Sequence, residues 1–171
     1  MACIILEELE APRRHRSIPV SFGNLTKVTD IMLQDNNFTG QIPSSLSNLK
    51  YLNFIDLSYN KFEGSIPVSF GNLTRVTDIM LQYNNFTDQI PSSLSNLKDL
   101  TFIDFSHNNF GGFGGKIPFL TNLTKLTTVD LSYNQLTSEM QVCEIEIRAI
   151  IDGTTPLDFT RHGSSDFAQI Q

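Results

Sequence analysis

The sequence predicts a repeat solenoid in which each unit supplies one short strand. A 48-residue duplication, a 24-residue period inside it and a fixed order of apolar positions support this prediction. Residues 65–88 copy residues 17–40 with three changes, and residues 89–112 repeat residues 41–64 more loosely. One unit of this length cannot bury its own apolar stripe, whereas stacked units bury a continuous one.

Each unit is marked by an Ile-Pro pair and by an asparagine further along. The prolines are Pro19, Pro43, Pro67, Pro91 and Pro118, and the asparagines are Asn36, Asn60, Asn84, Asn108 and Asn134. The spacing is 24 residues through the first four units, after which Phe113-Gly114-Gly115 adds three residues. This insertion predicts a bulged loop within a continuing repeat.

The apolar spacing within a unit changes from three residues to two, and two is the period of a strand. Two side chains of each strand therefore point inward. These pairs are Ile31 and Leu33, Ile55 and Leu57, Ile79 and Leu81, Ile103 and Phe105, and Val129 and Leu131. The regular prolines exclude long helices and favour this arrangement over an amphipathic helical repeat. The recurrent asparagine suits a buried turn that bonds backbone groups of neighbouring coils, a structural ladder.

The pattern L-x-x-L-x-x-L-x-L-x-x-N-x-F-x-G-x-I-P resembles the plant-type leucine-rich repeat. This is the repeat of plant receptor-like proteins, receptor-like kinases and polygalacturonase-inhibiting proteins, and here it recurs five times over about residues 17–138. The resemblance implies an α/β solenoid, a right-handed superhelix. A parallel β-sheet would line its concave face, with loops or 3-10 turns on the convex face. Because the repeated residues are structural ones, the resemblance leaves the ligand open.

The two ends of the chain lie outside the repeat. Residues 1–16 are predicted to be an N-terminal extension or cap, in which Ile4, Ile5, Leu6 and Leu9 form a short amphipathic cover. Residues 139–171 are predicted to be a C-terminal cap or an ankyrin-like tail, since residues 152–163 resemble the start of an ankyrin repeat; a chance match is the alternative. Cys3 and Cys143 flank opposite ends, about 20 Å apart, and are expected to be free thiols, either buried or incidental.

Charge and hydropathy restrict the environment of the chain. The net charge of −6 argues against nucleic acid and against an anionic membrane surface. No stretch approaches the ~18–20 apolar residues of a membrane span. The N-terminus lacks the basic region of a secretory signal. The family resemblance implies an extracellular or cell-surface protein, although neither a signal peptide nor a transmembrane helix is visible.

Five N-x-T sequons lie in the repeat region, at Asn24, Asn37, Asn72, Asn85 and Asn122. Sequons of this kind are N-glycosylation acceptors in secreted proteins. Four of the five are paired by the duplication, and N-L-T belongs to the repeat consensus, so inherited consensus is the alternative interpretation.

The sequence gives no support to catalysis. Of the three histidines only His107 lies in the solenoid, where other units carry tyrosine. No cysteine–histidine or serine–histidine motif is visible. The glycine-rich residues 111–115 lack the lysine of a phosphate loop. We therefore expect neither an enzyme, nor a cofactor, nor a metal site.

The outward side chains of successive strands are predicted to align in columns on the concave face, where a ligand would bind. The predicted ligand-binding residues are Asp30, Met32, Asp35, Phe54, Asp56, Tyr59, Asp78, Met80, Tyr83, Phe102, Asp104, His107, Asp130 and Tyr133. A further column contains Gln34, Ser58, Gln82, Ser106 and Ser132. These columns hold no lysine or arginine. The basic residues Lys27, Lys50, Arg75, Lys98 and Lys125 all precede the strands.

An acidic face with an aromatic edge favours a basic or polar extended peptide, or a protein loop. Part of the aspartate column is family consensus, and a carbohydrate that uses the tyrosines is an alternative. The sequence therefore predicts a non-catalytic protein or peptide recognition module of the plant receptor type, in defence or development. The alternatives are an intracellular adaptor and a truncated receptor fragment without its own function. Incomplete caps predict self-association through a solenoid end.

Overall fold

A computed structural model describes residues 3–5, 16–111 and 122–135. Its main element is a six-stranded parallel sheet with neighbouring strands in the order β1-β2-β4-β6-β8-β9. The strands are β1 (Cys3–Ile5), β2 (Asp30–Met32), β4 (Phe54–Asp56), β6 (Asp78–Met80), β8 (Phe102–Asp104) and β9 (Thr128–Asp130). Five of the six strands come one from each predicted unit, in chain order, and β1 precedes them, so the predicted solenoid with a parallel sheet is confirmed.

The register of the sheet follows the repeat. Ile31 pairs with Ile55, Ile55 with Ile79, and Ile79 with Ile103. In each of β2, β6, β8 and β9 the middle residue is buried while its two neighbours are half-buried, as the strand period requires. Equivalent residues of successive units therefore stand side by side, which forms the columns of the outward face.

Four 3-10 helices lie opposite the strands in the repeat. They are η1 (Val20–Asn24), η2 (Ser44–Asn48), η3 (Val68–Asn72) and η4 (Ser92–Asn96). Each begins directly after the proline of its Ile-Pro pair, whose fixed φ suits the residue before a helix. The predicted 3-10 turns are thus present, and Asn122, in the fifth unit, is also in 3-10 conformation.

A second, three-stranded parallel sheet was not predicted. It consists of β3 (Thr39–Gly40), β5 (Lys61–Gly64) and β7 (Asn85–Phe86), in that order. Its strands follow the asparagine of the first three units, where the sequence reads x-Phe-x-Gly, with Asp88 in place of the glycine in the third. The alternation of apolar and polar residues is too short there to predict a strand. Backbone pairing between successive coils forms this sheet.

The core is one continuous apolar column between the sheets and the 3-10 helices. Leucines and isoleucines of every unit contribute to it, and a row of phenylalanines runs through it. The rings of Phe38, Phe62, Phe86 and Phe110 stack in sequence with centroids 5.8, 6.1 and 5.9 Å apart. Aromatic pairs at such distances add to the stabilisation from apolar burial, so this row joins four coils.

The N-terminal segment joins the main sheet. Cys3 pairs with Asp30 and Ile4 with Ile31, so β1 is an edge strand, and Ile4 packs against the core. The predicted cap therefore extends the sheet instead of only covering the first coil. Leu6, Leu9, the inserted glycine loop and residues 136–171, including Cys143 and the ankyrin-like tail, lie outside the described residues.

Candidate ligand-binding face

The outward side of the main sheet carries the predicted concave-face columns. Acidic and apolar residues alternate along them, because the duplication repeats residue types every second unit. Asp30 pairs with Phe54, and Phe54 pairs with Asp78. In the parallel column Met32 pairs with Asp56, and Asp56 pairs with Met80. Asp30, Asp56 and Asp78 are thus separated from one another by apolar side chains of their own columns, whereas Asp104 pairs with Asp130 of β9.

The acids of the two columns are held differently. Asp30 and Asp78 each accept a hydrogen bond from the threonine hydroxyl that precedes them, at 2.5 Å. Asp56 instead accepts bonds from the backbone N–H and the hydroxyl of Ser58, at 3.0 and 2.6 Å. Asp104 accepts the same two bonds from Ser106. These acids are thus oriented by neighbouring side chains and backbone groups.

Two expectations about exposure were wrong. Asp56, predicted to contact a ligand, is only 9% exposed. In the column of Gln34 and Gln82, which was expected to point outward, Ser58, Ser106 and Ser132 are all below 6% exposed, whereas Gln34 is exposed and Gln82 half-buried. The physical reason is the aspartate–serine pair, in which the short serine side chain folds back onto the carboxylate two residues earlier.

Asp104 has a perturbed pKa. Burial raises the pKa of its carboxyl above the usual value and outweighs the two hydrogen bonds from Ser106, which lower it; the charge of Asp130 raises it further. Burial penalises the charged form of a carboxyl, whereas hydrogen bonds to that form favour it. The two interactions with Ser106 therefore compensate only part of the desolvation.

The aromatic edge is a continuous stack of rings. Tyr59 stacks on Tyr83 at 4.4 Å between centroids, Tyr83 on His107 at 4.0 Å, and His107 on Tyr133 at 4.1 Å. All four residues have left-handed backbone conformation, with φ between 52° and 56°. Asp35 occupies the same backbone position at the end of the row, with φ 55°.

The stack limits what this edge can bind. Both faces of the Tyr83 ring and of the His107 ring are covered by neighbouring rings, while Tyr83 as a whole remains exposed. A sugar that stacks on an aromatic ring needs a free face, and here only the two end rings have one. The edge is therefore better suited to hydrogen bonds from phenol groups than to the carbohydrate alternative.

The basic residues before the strands lie away from this face. Lys50 and Lys98 each donate to a backbone carbonyl of their own 3-10 helix, at 2.7 Å. Arg75 lies 5.1 Å from the centroid of the Tyr51 ring. Lys125 forms an exposed ion pair with Asp99 at 2.6 Å, the one salt bridge within the described residues. Consequently none of the described concave-face acids is paired with a lysine or arginine.

The asparagines of the repeat connect adjacent coils. Asn84 donates to Leu57 O of the previous coil at 2.9 Å and to Leu81 O of its own coil at 3.1 Å. Its carbonyl oxygen accepts from Phe62 N at 2.9 Å. Asn60, Asn108 and Asn134 make the equivalent contacts. Their amides lie behind the ligand face and fix the backbone that presents the aromatic residues.

The five sequon asparagines are all exposed: Asn24, Asn37, Asn72, Asn85 and Asn122. Exposure is a requirement for glycosylation, and their modification stays a prediction. Cys3 is exposed as well and is a free thiol, so the burial offered as one alternative is wrong for it. Partial desolvation of the Cys3 thiol by the neighbouring chain, and then the charge of Asp30, raise the pKa of this thiol although the residue as a whole is exposed.

The sequence reasoning did not place Cys3 on the concave face. The register puts it beside Asp30 in the outer column. The signal was present, since Cys3-Ile4-Ile5-Leu6 follows the same x-Ile-x-Leu pattern as Asp30-Ile31-Met32-Leu33. It was missed because no Ile-Pro pair precedes it.

Neither a metal-ligand cluster nor a membrane-spanning helix is found in the part of the chain that the structure describes. No group of three or more histidine, cysteine, aspartate or glutamate side chains there could hold a metal ion. No helix there is both long and apolar enough to cross a bilayer. The face is thus defined by acids, aromatic rings and methionines.

These features define a solenoid that presents a recognition surface. The family model described as Leucine Rich Repeat matches residues 27–49, 51–73 and 75–97, and a second model of the same description matches residues 122–139. The chain belongs to the leucine-rich repeat proteins. The fold of this family, in the ectodomains it resembles, is a non-catalytic recognition module.

Relatives in Arabidopsis thaliana are receptor-like proteins. The chain is 45% identical to Receptor-like protein 41 and 43% identical to Receptor-like protein 39, each over 49 residues. That stretch is 29% of this chain and 6% of either relative. The chain thus matches only a small part of the length of these receptors.

Solved structures of plant receptor ectodomains share the fold over 70% of the chain. The Arabidopsis GASSHO1/SCHENGEN3 ectodomain, in complex with CASPARIAN STRIP INTEGRITY FACTOR 2, has TM-score 0.67 at 34% identity, with 14% of it covered. The plant peptide hormone receptor RGFR1, in complex with RGF2, has TM-score 0.65 at 36% identity, with 19% covered. The Arabidopsis HAESA ectodomain, in complex with an IDA peptide hormone ligand, has TM-score 0.63 at 39% identity, with 20% covered.

Proposed function

We propose that the chain binds a basic or polar polypeptide segment on its concave face. The observation that carries this proposal is the segregation of charge across the solenoid. The outward side of the main sheet presents acids and aromatic rings, whereas the described lysines and arginines of the repeats lie before those strands or, as Lys61 does, on β5 of the second sheet. Complementary charge across an interface steers association and favours the correct partner.

The similar receptor ectodomains support a polypeptide ligand. Two of the three are described with peptide hormones, and the present chain shares their fold and about a third of their sequence in the matched region. A role in defence or developmental signalling is a further part of the proposal, motivated by the similarity to receptor-like proteins. The predicted repeat region, residues 17–138, would be the recognising domain.

A library of extended peptides tests the proposal, with binding to the full chain measured by fluorescence anisotropy. Asp78→Lys reverses a charge on the concave face and should weaken binding of selected peptides about tenfold, since nearby like charges repel. Glu63→Lys is the matched control, because it makes the same charge change on exposed β5 of the second sheet. This control should stay within about twofold of the native chain.

Equal loss of affinity in both variants would show that net charge, and not the concave face, governs binding. Thermal melts of both variants establish that each is folded before affinities are compared. If neither substitution changes the affinity of the selected peptides, the ligand surface lies elsewhere on the solenoid and the proposal is overturned.

A further inference from the structure

On the concave face the same residue type returns on every second strand, although the strand itself returns in every unit. The outer row is defined here as Asp30, Phe54, Asp78 and Phe102, which are direct neighbours in the register of β2, β4, β6 and β8. An acid returns in this row on every second strand. Because adjacent strands lie about 4.8 Å apart, the two carboxylates are separated by about 9.6 Å along the solenoid axis.

This separation discriminates between conformations of a peptide that runs across the strands. An α-helix returns a side chain to the same face about every 5.4 Å, and an extended strand about every 6.6 Å. A polyproline II helix rises about 3.1 Å per residue with three residues per turn, so it returns every ~9.3 Å. Only the polyproline II spacing matches the ~9.6 Å separation of the two carboxylates to within a few tenths of an ångström.

The two acids of the outer row are open to a ligand. Asp30 and Asp78 are half-buried, and in each the threonine hydroxyl bonds to one carboxylate oxygen, Oδ2. Neither carboxylate is paired with a cation among the described residues. By contrast, Asp56 is buried and held by Ser58. The outer row is therefore the one in which both repeated acids can meet a ligand cation.

A phenylalanine lies between the two acids. Phe54 is half-buried, and Phe102 repeats it on the far side of Asp78. Polyproline II segments dock on aromatic side chains in known recognition domains, because their conformation is set before binding. A ligand with apolar residues between its cations would cover the Phe54 ring while its cations reach both acids.

We propose that the concave face recognises a polyproline II segment of another polypeptide with a basic residue at every third position. Proline or other apolar residues lie between the cations, with consecutive basic residues at Asp30 and Asp78. This inference rests on the proposed function and specifies the ligand of the same face. In the fifth unit Thr128 replaces the acid, so the patterned row ends at β8. The patterned row spans about 14 Å, or about five ligand residues.

Three synthetic peptides with equal charge test the spacing. They are (Lys-Pro-Pro)4, (Lys-Pro)4 and (Lys-Pro-Pro-Pro)4, all of which favour the polyproline II conformation. Affinities for the full chain are measured by isothermal titration calorimetry at low salt and at about 0.15 M salt. The three-residue spacing should bind about three- to tenfold more tightly than the other two, because only it aligns two ion pairs.

A double variant removes the two-strand spacing of the acids in the outer row without changing the amino-acid composition. Phe54→Asp combined with Asp78→Phe puts the two carboxylates of the row on adjacent strands, about 4.8 Å apart. Net charge and amino-acid content stay the same, and the preference for three-residue spacing should disappear. Asp78→Asn is a milder variant that should reduce the preference with little effect on folding. Asp88→Asn, outside the face, is its control and should preserve the preference.

The outcomes separate this inference from the proposed function. Equal affinities for the three lysine peptides, or a preference that survives the double variant, overturn the spacing inference. If selected library peptides still lose affinity in Asp78→Lys, the proposed function stands without it. If the lysine peptides do not bind and the affinity of the library peptides is unchanged in Asp78→Lys, both the spacing inference and the proposed function are overturned.

Discussion

At the scale of single residues, the asparagine of each repeat makes a strained turn tolerable. The residue before it has left-handed backbone conformation, which costs energy for a side chain as bulky as Tyr83. The asparagine amide donates to a carbonyl oxygen of the previous coil and to one just before the turn in its own coil, as Asn84 does with Leu57 and Leu81. The strained conformation is thus maintained by buried hydrogen bonds and by the ring stack.

Replacing Asn84 by alanine should destabilise the chain by about 2–4 kcal/mol. The change leaves Leu57 O and Phe62 N without their side-chain partner in a buried place, and each buried orphan group costs about 1–3 kcal/mol. The measurement is urea unfolding followed by circular dichroism. Asn85→Ala is the control, since Asn85 is exposed, and its midpoint should change little. Equal midpoints for the two variants would contradict the role given to Asn84.

The raised pKa of Asp104 predicts a pH effect on stability. The folded chain holds the Asp104 proton to a higher pH than the unfolded chain, so stability falls as pH rises from the unfolded value, near 3.8, through the folded pKa. Asp104→Asn removes this titration. Its stability relative to the native chain should therefore improve between about pH 3 and pH 7.

The check is urea unfolding of both chains across that pH range. Ser106→Ala provides a second readout, because loss of the hydroxyl hydrogen bond should raise the pKa of Asp104 further, as seen by NMR titration of its carboxyl carbon. If the difference in stability between the native chain and Asp104→Asn does not change with pH, the pKa of Asp104 is not raised in the folded chain.

At the scale of elements, close approach of the 3-10 helices sets the packing opposite the main sheet. Gly71, in η3, faces the backbone of Ser93 in η4, and Gly23 of η1 faces Ser45 in the same way. Serine hydroxyls complete these contacts, since Ser93 donates to Val68 O at 2.6 Å. The absence of a side chain at these glycines allows successive coils to stack.

Gly71→Ala should cost about 1–3 kcal/mol, as expected for overpacking a close contact. The new methyl carbon would lie 2.5 Å from Ser93 O, a backbone atom that cannot turn aside. Gly111→Ala is the matched control, because there the nearest atom is 3.7 Å away. Thermal melts of both variants measure the difference. Similar melting temperatures would show that η3 and η4 can separate without cost.

At the scale of the whole molecule, the array is a stack in which each coil depends on its neighbours. The core is a single cluster, and within it Leu81 is fully buried. Repeat arrays derive stability from interfaces between adjacent units. A defect in the central unit therefore removes the support of two interfaces at once.

Leu81→Asp should unfold the described array. An unpaired carboxylate in an apolar core costs several kcal/mol, which is comparable to the ~5–15 kcal/mol by which domains are stable. Far-UV circular dichroism and amide NMR dispersion measure the outcome. Thr74→Asp introduces the same charge at an exposed position of the same unit and should leave both signals unchanged. Native spectra for Leu81→Asp would refute the stacked core.

The sequence by itself determined the number of repeats and the strand in each of them, and its resemblance to the plant repeat implied loops or 3-10 turns on the opposite side. These features depend on local properties: the period-two spacing around Ile31 and Leu33, the proline that fixes a helix start at Val20, and the regular return of asparagine. Such patterns are readable because every coil repeats them in the same order. The resemblance to the plant repeat followed from the same residues.

Only the tertiary structure decided which outward residues are accessible. Whether Asp56 faces a ligand or its own Ser58 depends on hydrogen bonds that alternation does not encode. The second sheet and the pairing of β1 with β2 depend on contacts between coils. Stacking with rings of neighbouring coils likewise covers both faces of the Tyr83 and His107 rings. The physical reason is common to all of them: spacing along the chain fixes the side of a strand, whereas burial and bonding are fixed by the neighbouring coils.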